Sequence, residues 1–244
     1  MQNRFHKRVL LTAAASAGLG ICASQANAAL TILLSEPGFA SVPFVDSGNT
    51  GTVSNFTSYG TFKIIDLEVA VSDKLQSPTP TQATLQITAI IESNTSGGTL
   101  TITTSDNQYG FPGVTGNTEF MDSSMSGTLA PATLNDLITF QSTATPTDGV
   151  AGTVSSTLQS YTSPGLNSGT TAFQAPDANT NFVRGASFDL SNQLQITMNS
   201  AFEQANVGGT TTVSLVQTRT PEPASGMVML GAIGSMMLGR RRRA

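Results

Sequence analysis

The chain has 244 residues, of which 39% are hydrophobic and only 11% are charged. Between Ala29 and Thr220 there are four basic residues against fourteen acidic ones, a net charge of −10 that repels nucleic-acid phosphates and anionic lipid headgroups. The only cysteine, Cys22, and the only histidine, His6, precede this segment. The segment therefore has no disulfide, no nucleophile system that needs Cys or His, and no zinc site built from those residues.

Residues 1–28 have the pattern of a secretion signal peptide. An apolar, Ala-rich run from Val9 to Ile21 follows a basic start and is too short to span a bilayer comfortably. We expect a signal helix that the export machinery uses and signal peptidase removes. The basic start consists of Arg4, Lys7 and Arg8, and the small residues around the expected cut are Ala26, Ala28 and Ala29.

Residues 29–220 form one domain-sized segment in which polar and apolar residues alternate, the pattern of strands with one buried and one wet face. Stretches rich in Gly, Ser, Asn and Pro separate the alternating runs, as turns do. We therefore expect an all-β domain, an antiparallel β-sandwich or jelly roll; a β-solenoid is the alternative, although no fixed repeat period supports it. The clearest candidate strands lie at 61–71, 83–91, 99–104, 137–142, 152–158, 182–190, 194–198 and 210–216.

Two stretches of this domain give weaker signals. A helical turn or two is expected at Pro131–Leu137, where helix-compatible residues follow a proline. The Gly/Ser/Thr/Asn-rich residues 160–181 are expected to form a long loop.

Asp66 and Glu68 are the only carboxylate pair that suggests acid/base chemistry. Two residues apart on one strand, they face the same side, and paired carboxylates are what glycoside hydrolysis requires. Such a pair more often provides solubilising charge, and the chain has no Trp and only three Tyr with which to stack a sugar. We therefore expect no enzymatic activity and no catalytic residues, with a hydrolase as a distant option.

Calcium is the one metal that the composition admits, because oxygen-rich loops are its usual ligands. Residues 177–181 match the first half of an EF-type loop, but Phe182 and Phe188 stand where that loop needs Gly and Glu. Plain Asx turns are the more frequent explanation. We expect no cofactor, with calcium as the alternative and its candidate ligands at Asp46, Asp177, Asn179 and Asn181.

Residues 221–244 give the most specific pattern in the chain. Pro221-Glu222-Pro223 precedes an uncharged apolar run, Ala224–Gly239, which as a helix would be about 24 Å long, short of the roughly 30 Å hydrocarbon core. The two prolines keep Glu222 in extended backbone, which a protease cleft can bind. The chain ends in basic residues that keep this end cytoplasmic, namely Arg240, Arg241, Arg242 and Arg243.

This tail resembles the PEP-CTERM sorting signal of Gram-negative bacteria, which is also labelled an ice-binding-protein C-terminal domain. The resemblance covers residues 221–244 and includes the Pro-Glu-Pro motif, a transmembrane helix and the Arg cluster in the expected order. Residues 187–190 and 194–198, before 210–213, also look like the closing hairpins of other proteins with this tail. It implies a transient stay in the inner membrane, processing by an exosortase near Pro-Glu-Pro, and release to the cell surface or to an exopolysaccharide matrix.

Taken together, these patterns predict an exported, non-catalytic protein of the cell surface or extracellular matrix, structural or adhesive in role. The alternative is a module that binds calcium or a polysaccharide. Three parts are expected: the signal peptide at 1–28, a secreted β domain at 29–220 and the sorting signal at 221–244.

Overall fold

The computed structural model describes residues 30–46, 50–71, 82–94, 97–110, 112–113, 115–147, 152–165 and 169–216. Within these residues the secondary structure consists of strands and turns, with no helix. The strands are β1 (Leu30–Ser35), β2 (Val42–Asp46), β3 (Thr50–Tyr59), β4 (Phe62–Val71), β5 (Gln82–Ser93), β6 (Gly98–Tyr109), β7 (Thr118–Ala130), β8 (Leu134–Pro146), β9 (Val154–Ser155), β10 (Gln159–Pro164), β11 (Thr171–Gln174), β12 (Ala178–Val183), β13 (Phe188–Met198) and β14 (Gln204–Leu215).

These strands form two antiparallel sheets that pack face to face. Sheet A has the order β10-β8-β13-β6-β1-β2, with β9 also paired to β8, and sheet B has the order β11-β7-β14-β5-β4-β3, with β12 also paired to β7. The predicted antiparallel sandwich is confirmed. From β5 onward the chain crosses between the sheets at six of nine connections, and β1–β4 widen both sheets at one side.

The core lies between the sheets and follows from the period-two pattern. In β5, Leu85, Ile87 and Ile91 point inward and are fully buried, while the residues between them face outward. The same alternation in the facing strands contributes Phe140 of β8 and Ile196 of β13 to one continuous apolar cluster. Burial of this cluster is the main term that holds the two sheets together.

A row of buried polar side chains crosses the core between the sheets. Ser142 Oγ of β8 lies 2.7 Å from Ser123 Oγ of β7 and 2.5 Å from Thr211 Oγ1 of β14. Thr211 Oγ1 also donates to the side-chain oxygen of Asn192, and Asn192 Nδ2 donates to the Leu85 carbonyl at 2.9 Å. Each of these buried groups therefore has a partner, as burial requires.

Several predicted boundaries were wrong. Residues 160–181 are not a long loop, because they contain β11 and most of β10 and β12. Residues 182–190 are not one strand, because β12 ends at Val183. The next residue, Arg184, is buried and its guanidinium donates hydrogen bonds to four loop carbonyls. Residues 187–190 and 194–198 do not form a hairpin, since all of them except Ser187 belong to the single strand β13.

Two further predictions also need correction. The expected helical turn at Pro131–Leu137 is absent: a turn precedes β8, and the Asp136 carboxylate accepts from Thr133 N at 2.6 Å and from Thr133 Oγ1 at 2.8 Å. Asp and Thr favour such local bonds over helix. The strand expected at 152–158 is reduced to Val154–Ser155.

The predicted signal helix at 1–28 and the sorting signal at 221–244 lie outside the described residues. The same holds for the residues of the signal-peptidase cut, for Pro221, Glu222 and Pro223, and for the terminal arginines. Within the part of the chain that the structure describes, no helix could cross a membrane.

Candidate functional site

An open groove of about 360 Å³ lies on the outer face of sheet B. This volume is at the lower end of the range found for small-molecule sites. The groove crosses the middle strands β5, β14 and β7 and reaches the edge strand β11. Its lining consists of hydroxyl, amide and glycine residues with one aromatic ring: Thr88, Ser126, Gly127, Thr128, Phe173, Asn206 and Gly208.

Gly208 lies in the middle of this groove because of the sheet register. It pairs with Thr88 of β5 on one side and with Ser126 of β7 on the other. Both partners face outward and carry short side chains. Since Gly208 has no side chain at all, the surface is lower here than along the rest of β14, and we call this depression the Gly208 groove.

The fold itself does not require a glycine at position 208. A Cβ built there has the Ile87 carbonyl oxygen, at 4.0 Å, as its nearest neighbour, and the backbone does not adopt a positive φ. A glycine in a strand interior lowers stability by about 0.5–1 kcal/mol and often marks a place where a ligand approaches closely. Gly208 is therefore better explained by the groove than by packing.

The groove wall next to β11 rests on a stacked aromatic pair. The Phe173 ring lies over Gly127, where a Cβ would be 2.8 Å from Phe173 Cζ. On its other side this ring stacks on Tyr161 of β10, with ring centroids 4.4 Å apart and an interplanar angle of 10°. Because Tyr161 belongs to sheet A and both rings join the core cluster, the stacked pair lies between the sheets and supports the β11 end of the groove from beneath.

Chemically, the lining offers hydrogen bonds without charge. Ser, Thr and Asn side chains both donate and accept hydrogen bonds, and the Phe173 ring adds a small apolar surface. None of the seven lining residues is ionisable or a strong nucleophile. The groove is therefore suited to binding a polar neutral ligand, and its lining offers no group for acid/base catalysis.

Asp66 and Glu68 flank this groove on β4. Their register partners on β5 are Ile90 and Thr88, which confirms that the two carboxylates share the outer face. Thr88 itself lines the groove, so Glu68 stands one strand away from it. The sequence suggested this pair, but it gave no sign of the groove, which depends on residues of four strands.

The calcium candidates fall into two separate places. Asp46 ends β2 at the outer edge of sheet A, whereas Asp177, Asn179 and Asn181 belong to the opposite edge of sheet B. Residues 177–181 are not one loop, because Asn179 and Asn181 lie within the strand β12, and the partial EF-type match therefore does not continue in the structure. A strand cannot wrap its ligands around an ion as that loop does.

Asp122 of β7 is a neighbour of these residues that the sequence did not indicate. It pairs with Asn179, and burial together with the Asp177 charge raises the pKa of its carboxyl, while a hydrogen bond from the Ser123 backbone opposes the rise. Among the described residues, no three Asp, Glu, Cys or His side chains form a group that could hold a metal. Calcium binding stays a prediction.

The end of the sandwich near the β6–β7 loop contains a buried cation. Arg184 Nη1 donates to the Pro112 carbonyl at 2.9 Å and to that of Gly113; Nη2 donates to the Ala186 carbonyl at 2.9 Å and to that of Gly110. Burial lowers the pKa of the Arg184 guanidinium, and the nearby Glu119 charge opposes this. The arrangement fixes the loop and the end of β12.

Glu119, at the start of β7, is fully buried near this arginine. Neither of its carboxylate oxygens has a hydrogen-bond partner among the described residues. Burial raises the pKa of its carboxyl to about 7, although the Arg184 charge acts in the opposite direction. Neither residue lines the Gly208 groove, and the pair is structural in character.

No protein-family model matches the chain, and no curated protein matches it. One similar solved structure is described as carbohydrate-binding modules from the beta-sandwich super family, at 8% identity and a TM-score of 0.29, over 77% of this chain and 71% of that one. Another is the enzymatically active domain of bacteriophage CBA120 tailspike protein 4, at 10% identity and a TM-score of 0.30, over 69% of this chain and 20% of that one. A third is the structure of infectious bursal disease virus Gx strain, at 10% identity and a TM-score of 0.31, over 80% of this chain and 54% of that one. TM-scores of this size carry no argument about function.

Proposed function

We propose that this chain is an exported, non-catalytic protein of the cell surface or extracellular matrix, and that it binds a neutral polysaccharide in the Gly208 groove. The observation that carries the proposal is Gly208 itself. The residue lowers strand stability, no packing constraint requires it, and its missing side chain leaves a depression between Thr88 and Ser126.

Neutral polysaccharide is the ligand class that fits the lining. Sugar hydroxyls both donate and accept hydrogen bonds, as do the side chains of Ser126, Thr128 and Asn206. The segment 29–220 carries a net charge of −10, which disfavours anionic polymers. The groove is open along the surface, so it can accept a unit within a long chain and not only a chain end.

Export and sorting are the second half of the proposal, and the sequence patterns at the two ends support them. The signal peptide would direct export, and the tail would hold the chain in the inner membrane until an exosortase acts near Pro221-Glu222-Pro223. Replacement of all three residues by alanine should leave the full-length chain in the inner-membrane fraction. Normal release of that variant into the medium would contradict the sorting half alone.

The groove is tested by filling it. Gly208→Val places a β-branched side chain in open space, so the sheet should stay folded while the ligand is displaced. We expect at least one of three neutral polymers in a native gel, namely dextran, hydroxyethylcellulose or galactomannan, to retard the purified protein. Gly208→Val should bind that polymer at least about tenfold more weakly.

Two controls accompany this measurement. Ser214→Val adds the same side chain to an outward position of β14 outside the groove lining, and it should leave binding unchanged. Alginate, an anionic polymer, should cause no retardation. Binding by Gly208→Val that equals the wild type, or the absence of any retardation by the three neutral polymers, would refute the groove as the site.

A further inference from the structure

The outer face of sheet A is built almost entirely of hydroxyl and amide side chains. The strands β6, β13 and β8 lie side by side, and each presents four such residues to the outside. We call this surface the hydroxyl–amide face; its members are Thr99, Thr101, Thr103 and Ser105 of β6, Ser191, Gln193, Gln195 and Thr197 of β13, and Thr139, Gln141, Thr143 and Thr145 of β8.

Three rows of these side chains are complete across the three strands. In the two end rows, Leu137 stands beside Thr197 and Asp189 stands beside Thr145. The register runs without a shift from Leu190 to Met198 against β6 and from Phe188 to Thr197 against β8. Rows therefore repeat about every 6.8 Å along the strands, with neighbours about 4.8 Å apart across them. Some neighbours bond to each other, as Thr99 Oγ1 and Thr197 Oγ1 do at 3.0 Å.

The lack of charge is the unusual property of this face. Soluble protein surfaces are roughly 25–35% charged, and the segment 29–220 holds fourteen acidic residues. None of the thirteen outward positions within 99–105, 191–197 and 137–145 is charged. The nearest carboxylate is Asp189 in the end row of β13, where its Oδ1 accepts from Gln108 N at 2.9 Å. An uncharged polar surface of this kind complements a neutral, hydroxyl-rich polymer.

The face and the Gly208 groove point in opposite directions. They occupy the outer surfaces of sheets A and B, whose inner faces meet at the core, and packed sheets lie about 10 Å apart. A single polymer strand held straight in the groove cannot also lie along the opposite surface. Two bound strands would therefore be separated by the whole thickness of the sandwich.

We propose that the hydroxyl–amide face is a second binding surface for the same neutral polysaccharide, so that one molecule of this protein cross-links two polymer chains. This inference rests on the proposed function of the groove. Two weak sites on opposite sides join polymer strands into a network, because each strand carries many equivalent sites and the effective concentration along it is high. Cross-linking is an activity that groove binding alone does not provide.

The test introduces charge on the face without disturbing the sheet. Thr103 and Gln193 are register partners, so Thr103→Glu with Gln193→Lys gives a cross-strand ion pair that the sheet tolerates. The matched control is Gln82→Glu with Ser214→Lys, also register partners but on sheet B and outside the groove lining. Agglutination of beads coated with the polymer found effective in the gels is the measurement.

Wild type and the sheet-B control should agglutinate the beads as monomers, with the monomeric state checked by sedimentation. The face variant should bind single beads through the groove, yet need at least about tenfold more protein for agglutination. Gly208→Val should likewise bind through the face without agglutination, and the combined triple variant should not bind.

Each result has a separate meaning. Agglutination by the face variant at the wild-type concentration would overturn the second surface and leave the groove intact. Agglutination that depends on a sedimenting dimer would overturn cross-linking by one molecule. Unchanged binding and agglutination by Gly208→Val would instead contradict the groove, and hence the proposed function.

Discussion

Gly208 and Gly209 are adjacent in β14, but they face opposite sides and only the second is required by packing. A Cβ on Gly209 would lie 2.4 Å from Cε2 of the Phe140 ring, which reaches across the core from sheet A. A Cβ on Gly208 would enter open space. Gly208 thus shapes the outer surface of sheet B, whereas Gly209 leaves room for the Phe140 ring in the core.

This difference predicts opposite effects of the same substitution. Gly209→Ala should destabilise the protein by about 1–3 kcal/mol, because the buried Phe140 has to move in a close-packed core. Gly208→Ala should stabilise it by up to about 1 kcal/mol, since alanine restricts the unfolded chain more than glycine does. Urea unfolding measures both; equal effects of the two variants would contradict the assignment.

The sheet architecture was predictable because it depends on local alternation. The run at 83–91 predicted β5 closely, and its inward residues Leu85 and Ile87 are fully buried. The face shared by Asp66 and Glu68 was also predictable, since two residues on one strand separated by one position always face the same side. In both cases the information lies within about ten residues of the chain.

The site was not predictable because it depends on register between distant strands. The sequence around Gly208 does not indicate that Thr88 and Ser126 are its neighbours on the adjacent strands. A Gly-Gly pair is also more typical of a turn than of a strand. The long loop expected at 160–181 failed for the same reason. Its short strands exist because β7 and β8 offer open edges to pair with, as Phe173 does with Gly127.

Arg184 should be irreplaceable by lysine. Its planar guanidinium bonds to four carbonyls from two chain segments, whereas an ammonium has three donors on one atom and cannot span them. Arg184→Lys should therefore cost about 2–4 kcal/mol in the free energy of unfolding, through carbonyls left without partners. A loss under about 0.5 kcal/mol would show that water replaces these bonds. Lys63→Arg, on the outer side of β4, is the matched control and should have little effect.

Glu119 should make the protein less stable as the pH rises. Its carboxyl has a pKa of about 7 in the folded protein against 4.5 in the reference state. A raised carboxyl pKa means that the folded state binds the proton more tightly, so this contribution is complete below about pH 4.5 and is lost as the pH rises through about 7. The melting temperature should fall across this window.

The isosteric variant Glu119→Gln tests that origin. It cannot ionise, so the fall in melting temperature between about pH 4.5 and about pH 7 should be visibly smaller than in the wild type. Glu68→Gln, which replaces an exposed carboxylate on sheet B, is the control for the loss of one acidic group. An identical slope in wild type and Glu119→Gln would assign the pH dependence to other groups, of which Asp122 is the first to examine because its pKa is raised as well.

The polar row in the core should behave as a unit. Thr211→Val keeps the shape but removes the hydroxyl that donates to Asn192 and contacts Ser142 Oγ, so it should cost about 1–3 kcal/mol. Adding Asn192→Leu also removes the amide that Thr211→Val leaves without its hydrogen-bond donor. The double variant should therefore lose less free energy of unfolding than the sum of the losses of the two single variants. The free energies of unfolding of all four proteins complete the cycle. Strict additivity would mean that the row does not couple the sheets and that each buried group contributes only through its own solvation.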